Sequence, residues 1–296
     1  MNKIILLIVT LFFVLNGFSQ NLDSLVQATQ PEILPGKIVT YYTPGKKGVA
    51  EKLQALSMAV AAYYEKQFGY KFHVKLAVLD SAHWPVDMAP YGIIFSKKDW
   101  VFMHAGMSFE SFQNVYGMQS FKSVTLKALR SKKMKGNDLV QSFLAFYTVH
   151  ELGHYFLNKL SGATYPDYFT NEWMASYFAF QFFKKNQPAV LPAFELFCQV
   201  YRDNVKPVHT SVASFNEQYG NDGIPTYGWY HVNFYFLCKA VWNCAGEKLI
   251  GHYSKVFQQK QAQKITPDEI IQKLELCKET LQPFEMKLNN GAISSF

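Results

Sequence analysis

The sequence is poor in cysteine and lacks any apolar run long enough to span a bilayer. It holds four cysteines in 296 residues, and their spacing matches no zinc-binding cysteine pattern. Its N-terminal apolar run, Ile4 to Leu15, covers twelve residues, whereas a transmembrane helix needs roughly 20. Internal repeats and low-complexity segments are also missing. These absences favour a globular protein over a membrane-spanning, repetitive or disordered chain.

The N-terminus has the parts of a secretory signal peptide. Lys3 precedes the apolar run, and residues 16–20 supply a polar cleavage region. We expect residues 1–19 to be the signal, with cleavage after Ser19, and the mature protein to be exported, periplasmic or secreted, without an integral membrane segment. No cysteine follows the run, which argues against a lipid anchor. Residues 20–35 are predicted to be a leader segment, either a masking propeptide or a flexible one.

The charge balance is mildly basic and predicts no nucleic-acid partner. The chain has 29 basic and 22 acidic residues, and loss of Lys3 with the signal leaves 28 against 22, about +6. The densest basic cluster, residues 127–135, is predicted to be a solvated segment ahead of a helix. No nucleic-acid-binding module is recognisable in the sequence.

The redox state of the four cysteines stays open at this stage. An exported protein permits disulfides, and four cysteines allow three pairings. All four lie in apolar surroundings that suit buried free thiols nearly as well. They are Cys198, Cys238, Cys244 and Cys277.

The most informative motif is HELGH, from His150 to His154. The surrounding apolar pattern predicts a helix that begins near Asn137 and stops at Ser161-Gly162. Residues four apart share one face of a helix, so both imidazoles can reach a single Zn²⁺. Zinc lowers the pKa of a bound water towards about 7, and Glu151 between the histidines is placed to take its proton.

A catalytic zinc takes three protein ligands, and Glu172 is the best candidate for the third. It lies in the segment NEWMASY, residues 171–177, inside a second apolar stretch that predicts a helix entered at residues 165–167 and running to Lys184. Seventeen residues separate His154 from Glu172, which allows a loop and an antiparallel return helix. Ser176, one turn beyond Glu172, is placed either to support a ligating imidazole or to let two helices approach closely.

HELGH followed by NEWMASY resembles the gluzincin metallopeptidases, the group that includes thermolysin and the aminopeptidase N and leukotriene hydrolase family. The resemblance rests on His150, Glu151, His154 and on the NE, A and SY positions of the second motif, with a spacer one residue shorter than is typical. It implies that His150, His154 and Glu172 bind zinc, that Glu151 is the catalytic carboxylate, and that the substrate is a peptide or protein.

Members of this group place a Tyr or His about 55 to 65 residues beyond the third ligand, where it donates a hydrogen bond to the oxyanion of the tetrahedral intermediate. Tyr227 is the first choice here, because it lies between Pro225 and Gly228 at a predicted helix start. Tyr230 and His231 are alternatives.

One departure from the resemblance bears on specificity. Aminopeptidases of the family carry a G-x-M-E-N segment upstream of the zinc helix, and this chain has none; Gly106 to Glu110 is out of pattern. An endopeptidase, or a peptidase of undefined subsite preference, therefore fits better than an aminopeptidase. The competing hypothesis is an exported gluzincin-fold binding or scaffold protein without peptidase turnover.

The order of elements predicts an α+β fold with two lobes, as in thermolysin. Residues 36–160 would form an N-terminal mixed α/β lobe ending in the zinc helix, and residues 161–296 a helical C-terminal lobe, with a capping box at 266–269. Strands are predicted at 37–42, 72–79 and 91–103, and a helix at 49–67 that Gly69 ends. Residues 92–103 are the candidate for a strand that pairs with an extended substrate, with an interior strand as the alternative.

Overall fold

The computed structural model describes residues 22–85, 94–161 and 167–258, together with Cys277 and Glu279. In these residues the chain is an α+β protein with one small sheet and a mainly helical second half. The strands are β1 (Glu32–Leu34), β2 (Thr40–Tyr42), β3 (Lys75–Leu79), β4 (Ile94–Lys97) and β5 (Trp100–His104). The helices are α1 (Leu22–Ala28), α2 (Lys47–Phe68), α3 (Phe109–Val115), α4 (Lys122–Ser131), α5 (Gly136–Ser161), α6 (Tyr168–Asn186), α7 (Leu191–Asn204), α8 (Val212–Gln218), α9 (Ile224–Ala245) and α10 (Lys248–Gln258).

The sheet has the order β1-β2-β3-β5-β4. Strands β2, β3 and β5 run parallel, whereas β1 and β4 pair antiparallel at the two ends. Val101 of β5 is opposite Leu76 of β3 on one side and Ser96 of β4 on the other. Strand β4 is therefore an edge strand in the described part of the chain.

The predicted elements of the N-terminal half are present with shifted ends. The helix expected at 49–67 spans Lys47–Phe68, and Gly69 ends it in the left-handed conformation at φ 71°. The segment 91–103 forms the antiparallel pair β4 and β5 in its described residues. The two strands predicted at 37–42 and 72–79 begin later than expected, at Thr40 and Lys75, although the Val39 carbonyl still accepts a hydrogen bond from the Leu76 N–H.

The sheet is covered on both faces by different elements. Val101 and Met103 of β5 face the main core, where α5 lies, while Trp100 and Phe102 face a second cluster with Leu22 and Val26 of α1. The described part of the expected leader segment is thus folded into the protein: α1 packs on the outer face, and β1 adds a strand to the edge opposite β4.

The main core is continuous between the two halves of the chain. It unites sheet residues, α2 and α5 with α6, α7 and α9. Helix α6 is buried on all sides from Phe169 to Phe183, as expected of a helix at the centre of a bundle. Helix α5 packs against α6 and also contacts β4 and β5, so it lies between the sheet and the helices.

The helix carrying HELGH and the helix carrying NEWMASY both exist as predicted. Helix α5 spans Gly136–Ser161. Helix α6 begins at Tyr168, directly after its N-cap residue Asp167, whose carboxylate accepts a hydrogen bond from the Thr170 backbone N–H. The signal peptide at 1–19 and the capping box at 266–269 lie outside the described residues. Among the described helices, none combines the length and the apolar character needed to cross a bilayer.

The cysteines divide into one disulfide and two buried thiols. Cys244, at the end of α9, is bonded to Cys277, while Cys198 and Cys238 are free and buried. The bond joins residues 33 positions apart and ties the C-terminal part of the chain to α9. The sequence alone favoured neither this mixed state nor this pairing.

We predict that the double variant Cys244→Ser/Cys277→Ser lowers the free energy of unfolding by about 3–4 kcal/mol, because the cross-link restricts a loop of this length in the unfolded chain. Denaturant unfolding with and without a reductant measures it. Reductant should destabilise the wild-type protein and leave the double variant unchanged. Equal stability of the wild-type protein in both conditions would contradict the assignment.

Candidate metal centre

The two histidines of HELGH and Glu172 are brought together by close packing of α5 against α6. Gly153, between the histidines, faces α6: a Cβ atom there would lie 3.1 Å from the Ala175 carbonyl oxygen and 3.1 Å from Phe178 Cβ. A larger residue would separate the two helices. Glycine at this position therefore lets Glu172 reach His150 and His154.

Three side-chain atoms form a compact triangle at this contact. His150 Nε2 lies 3.0 Å from His154 Nε2, and Glu172 Oε2 lies 3.1 Å from the first and 3.3 Å from the second. All three residues are buried. The predicted ligand residues thus converge with one donor atom each on a common point.

The size of the triangle suits a small tetrahedral cation. Zinc bonds to histidine nitrogen and carboxylate oxygen are about 2.0–2.2 Å long, which separates neighbouring ligand atoms by about 3.3–3.6 Å in a tetrahedron. The distance of 3.3 Å from Glu172 to His154 reaches this range, and the other two separations are slightly shorter. Ligand atoms lie within 4.8 Å of one another in two overlapping groups, one of His150, Glu172 and His231 and one of His150, Glu151 and His154, so the buried cluster could hold a metal ion. Imidazoles together with a carboxylate form a donor set that zinc accepts.

The electrostatics of the cluster require a positive charge next to Glu172. Burial opposes ionisation of Glu172, yet the neighbouring histidines outweigh it and hold the pKa of this carboxyl well below its usual range. Burial likewise opposes a charge on His154, but the Glu172 carboxylate outweighs it and raises the pKa of His154 to about 9. A buried carboxylate that stays ionised needs a cation beside it, which is either a proton on His154 or a metal ion.

His150 and His154 each have a polar partner on α6. His150 Nδ1 lies 3.1 Å from Ser176 Oγ, a contact that the role of supporting this imidazole requires. His154 hydrogen-bonds the side chain of Asn171. Both neighbours come from the NEWMASY segment, which also carries Glu172.

Glu151 lies beside the cluster and points towards the edge of the sheet. The Ser96 hydroxyl on β4 donates a hydrogen bond to Glu151 Oε2 at 2.6 Å. Ligand atoms of His150, Glu151 and His154 lie within 4.8 Å of one another. Glu151 is only half-buried, in contrast to His150, His154 and Glu172, which are buried.

Two tyrosines connect Glu172 to the C-terminal helices. Tyr219 Oη donates to Glu172 Oε1 at 2.5 Å, and the Tyr227 side chain hydrogen-bonds Tyr219. Burial, followed by the nearby Glu172 charge, raises the pKa of both phenols well above the usual value, so both keep their protons. Tyr227, predicted at a helix start, lies in the first turn of α9.

The two alternatives to Tyr227 have different surroundings. Tyr230 faces away from the cluster, because its hydroxyl donates to the Ser211 carbonyl and lies 3.1 Å from His209 Nδ1. His231 faces the cluster, with Nε2 3.6 Å from Glu172 Oε2. Its two ring nitrogens have no hydrogen-bond partner in the described chain, and burial lowers the pKa of His231 to about 3.

Sequence reasoning missed Ser96 and Tyr219. Ser96 lies inside the segment 92–103, which was predicted to be a strand next to the site. The strand was therefore predicted, but the contact of Ser96 with Glu151 was not. Tyr219 lies 47 residues beyond Glu172, ahead of the interval in which an oxyanion donor was sought. The chain has 18 tyrosines, and the sequence signal that could have singled out Tyr219 is weak: it directly precedes Gly220, which has a positive φ in a turn.

Comparisons of this chain with protein-family models, with curated proteins and with solved structures find no match in any of the three. The class that the fold and the site define is therefore an α+β protein whose buried histidine and glutamate cluster could hold a metal ion.

We predict that Gly153→Val lowers the free energy of unfolding by about 1–3 kcal/mol, because the added atoms collide with the α6 backbone. Metal affinity should fall as well, since α6 carries Glu172. Denaturant unfolding and metal titration measure the two effects. Valine is no worse a helix former than glycine, so a loss reports packing rather than helix propensity.

The matched control is Gly48→Val in α2, where a Cβ atom would meet no atom within 4 Å. This substitution should change stability by no more than about 0.5 kcal/mol. If both variants behaved alike, the close approach at Gly153 would not be a constraint on the site.

Proposed function

We propose that this protein is an exported zinc-dependent peptidase of the gluzincin type, with a thermolysin-like catalytic unit. The observation that carries the proposal is the buried triangle of His150, His154 and Glu172 with Glu151 beside it. Zinc binding at the triangle, peptide hydrolysis and export through the signal at residues 1–19 are the three parts of the proposal. It is supported by the convergence of two imidazoles and one carboxylate, which form a donor set typical of zinc sites.

The proposed reaction assigns the proton transfers to Glu151. Zinc, when bound, would supply the Lewis acidity that activates a water and polarises the scissile carbonyl. Glu151 takes the proton of the attacking water as that water's oxygen bonds to the carbonyl carbon, and then gives the proton to the leaving amine as the C–N bond breaks. Its half-exposed carboxylate and its position next to both histidines suit this role.

Substrate would lie along β4. The described chain has no strand paired with the outer edge of β4, and this strand contacts the helix that carries HELGH. An extended peptide can add to such an edge through backbone hydrogen bonds. The Ser96 bond to Glu151 places that edge next to the proposed base, so a peptide held there has its backbone beside the catalytic carboxylate.

Tyr227 is the proposed oxyanion donor. Burial keeps its phenol protonated, as a donor must be, and its ring lies 4.3 Å from that of His231 at the rim of the cluster. Its hydroxyl is engaged with Tyr219 in this structure, so donation to an oxyanion requires a change of partner. With no amine-binding glutamate motif in the sequence, we propose an endopeptidase rather than an aminopeptidase.

A second candidate function is metal binding without turnover, and His231 is the observation that favours it. Glu172, His150 and His231 also offer ligand atoms within 4.8 Å of one another. If His231 joined the other three ligands, the metal would be enclosed by four protein groups, which is typical of structural zinc sites. An exported binding or scaffold protein would result.

We predict that Glu151→Gln abolishes peptide hydrolysis, by at least about a hundredfold, and leaves zinc affinity within a few fold. Cleavage of a mixed peptide library and metal analysis of the same preparations test this. Zinc in both proteins with cleavage only in the wild type would support the peptidase. Zinc in both without any cleavage would favour the binding protein.

We predict that His231→Phe leaves zinc affinity within about threefold of the wild-type value, because a three-ligand site does not need this imidazole. Phenylalanine keeps a ring in the buried space between Tyr227 and Phe234. Zinc titration against a competing chelator is the measurement. A loss of several orders of magnitude would identify His231 as a fourth ligand and contradict an open catalytic site.

A further inference from the structure

The two oxygens of Glu172 have different partners. Oε2 faces His150 and His154, whereas Oε1 accepts a hydrogen bond from Tyr219 Oη. The Tyr219 hydroxyl therefore engages one carboxylate oxygen and leaves the other oxygen facing the histidines. A carboxylate without such a partner can rotate and bind a metal through both oxygens.

The Tyr219 ring is held in place by neighbouring aromatic rings. It stacks on Tyr168 with ring centroids 4.0 Å apart and an angle of 3° between the planes. Phe215, from the preceding helix α8, contacts it edge-on at 5.7 Å. Tyr168 opens α6, the helix that carries Glu172, so the stacking fixes the hydroxyl relative to the carboxylate that it contacts.

The segment around Tyr219 is also anchored at both ends. His209 precedes α8 in the sequence and Asp222 follows it, and His209 Nε2 lies 2.7 Å from Asp222 Oδ1. The other ring nitrogen of His209 lies 3.1 Å from Tyr230 Oη on α9. This bridge closes the loop that contains α8 and Tyr219 against the helical body of the protein.

From this geometry we infer that Tyr219 is a positioning residue that holds Glu172 as a ligand through one oxygen and keeps the fourth metal position open for the reaction. The inference rests on the proposed zinc peptidase. Tyr219 acts through Glu172 by a hydrogen bond, and it is distinct from the proposed oxyanion donor Tyr227.

The test is zinc binding by Tyr219→Phe, which removes the hydroxyl and retains the stacked ring. Loss of a partner that orients a metal ligand typically weakens metal affinity 10–100-fold, and we expect a loss in that range. Competition with a chelator of known affinity measures it. X-ray absorption at the zinc edge should also detect an additional oxygen neighbour, because the freed carboxylate can bind through both oxygens.

Two further tyrosine variants are the matched controls. Tyr168→Phe removes a hydroxyl from the other ring of the stack, and Tyr227→Phe removes the proposed oxyanion donor. Tyr168→Phe should bind zinc within about threefold of the wild-type protein. Tyr227→Phe removes a hydrogen-bond partner of Tyr219 but leaves the Tyr219 hydroxyl on Glu172, so it should weaken zinc binding less than Tyr219→Phe does, while losing peptidase activity. Thermal unfolding of all three variants checks that each is folded.

The outcomes separate this inference from the function on which it rests. If the wild-type chain binds zinc and Tyr219→Phe binds it equally well with the same coordination, Tyr219 has no positioning role and the peptidase proposal stands. If the folded wild-type chain binds no zinc, both are wrong. Equal weakening in all three variants would show a general effect of hydroxyl loss and would also overturn the inference.

Discussion

The site depends on the close contact between α5 and α6 at Gly153. Glu172 and both histidines are on two different helices, and the triangle of donor atoms exists only if these helices approach closely enough. The contact also fixes the supporting groups, because Ser176 and Asn171 come from the same side of α6 as Glu172. Polar geometry at the site is thus a consequence of how tightly two largely apolar helices pack.

Burying a carboxylate among histidines at the centre of a hydrophobic core costs free energy that packing alone does not return. Glu172 is surrounded by His150, His154, His231 and Tyr219. A divalent cation at the triangle would satisfy the carboxylate and the ring nitrogens together.

Local patterns in the sequence predicted the parts of the site that lie within single helices. The spacing of His150 and His154, the helix that carries Glu172, and Ser176 one turn later all follow from helical periodicity. Contacts set by tertiary structure were not predictable: Ser96 meets Glu151 because β4 is the last strand of the sheet, and Tyr219 meets Glu172 because a closed loop returns it to α6. The Cys244 pairing depends on the same kind of distant contact.

The most direct test of the central claim is a crystal structure of the zinc-loaded protein with anomalous diffraction at the zinc edge. We expect one strong peak inside the triangle, about 2.0–2.2 Å from His150 Nε2, His154 Nε2 and Glu172 Oε2, with the fourth position filled by solvent. A peak bonded to His231 as well would identify a closed site. No peak at the triangle, in crystals grown with zinc, would contradict the assignment of this cluster as a metal centre.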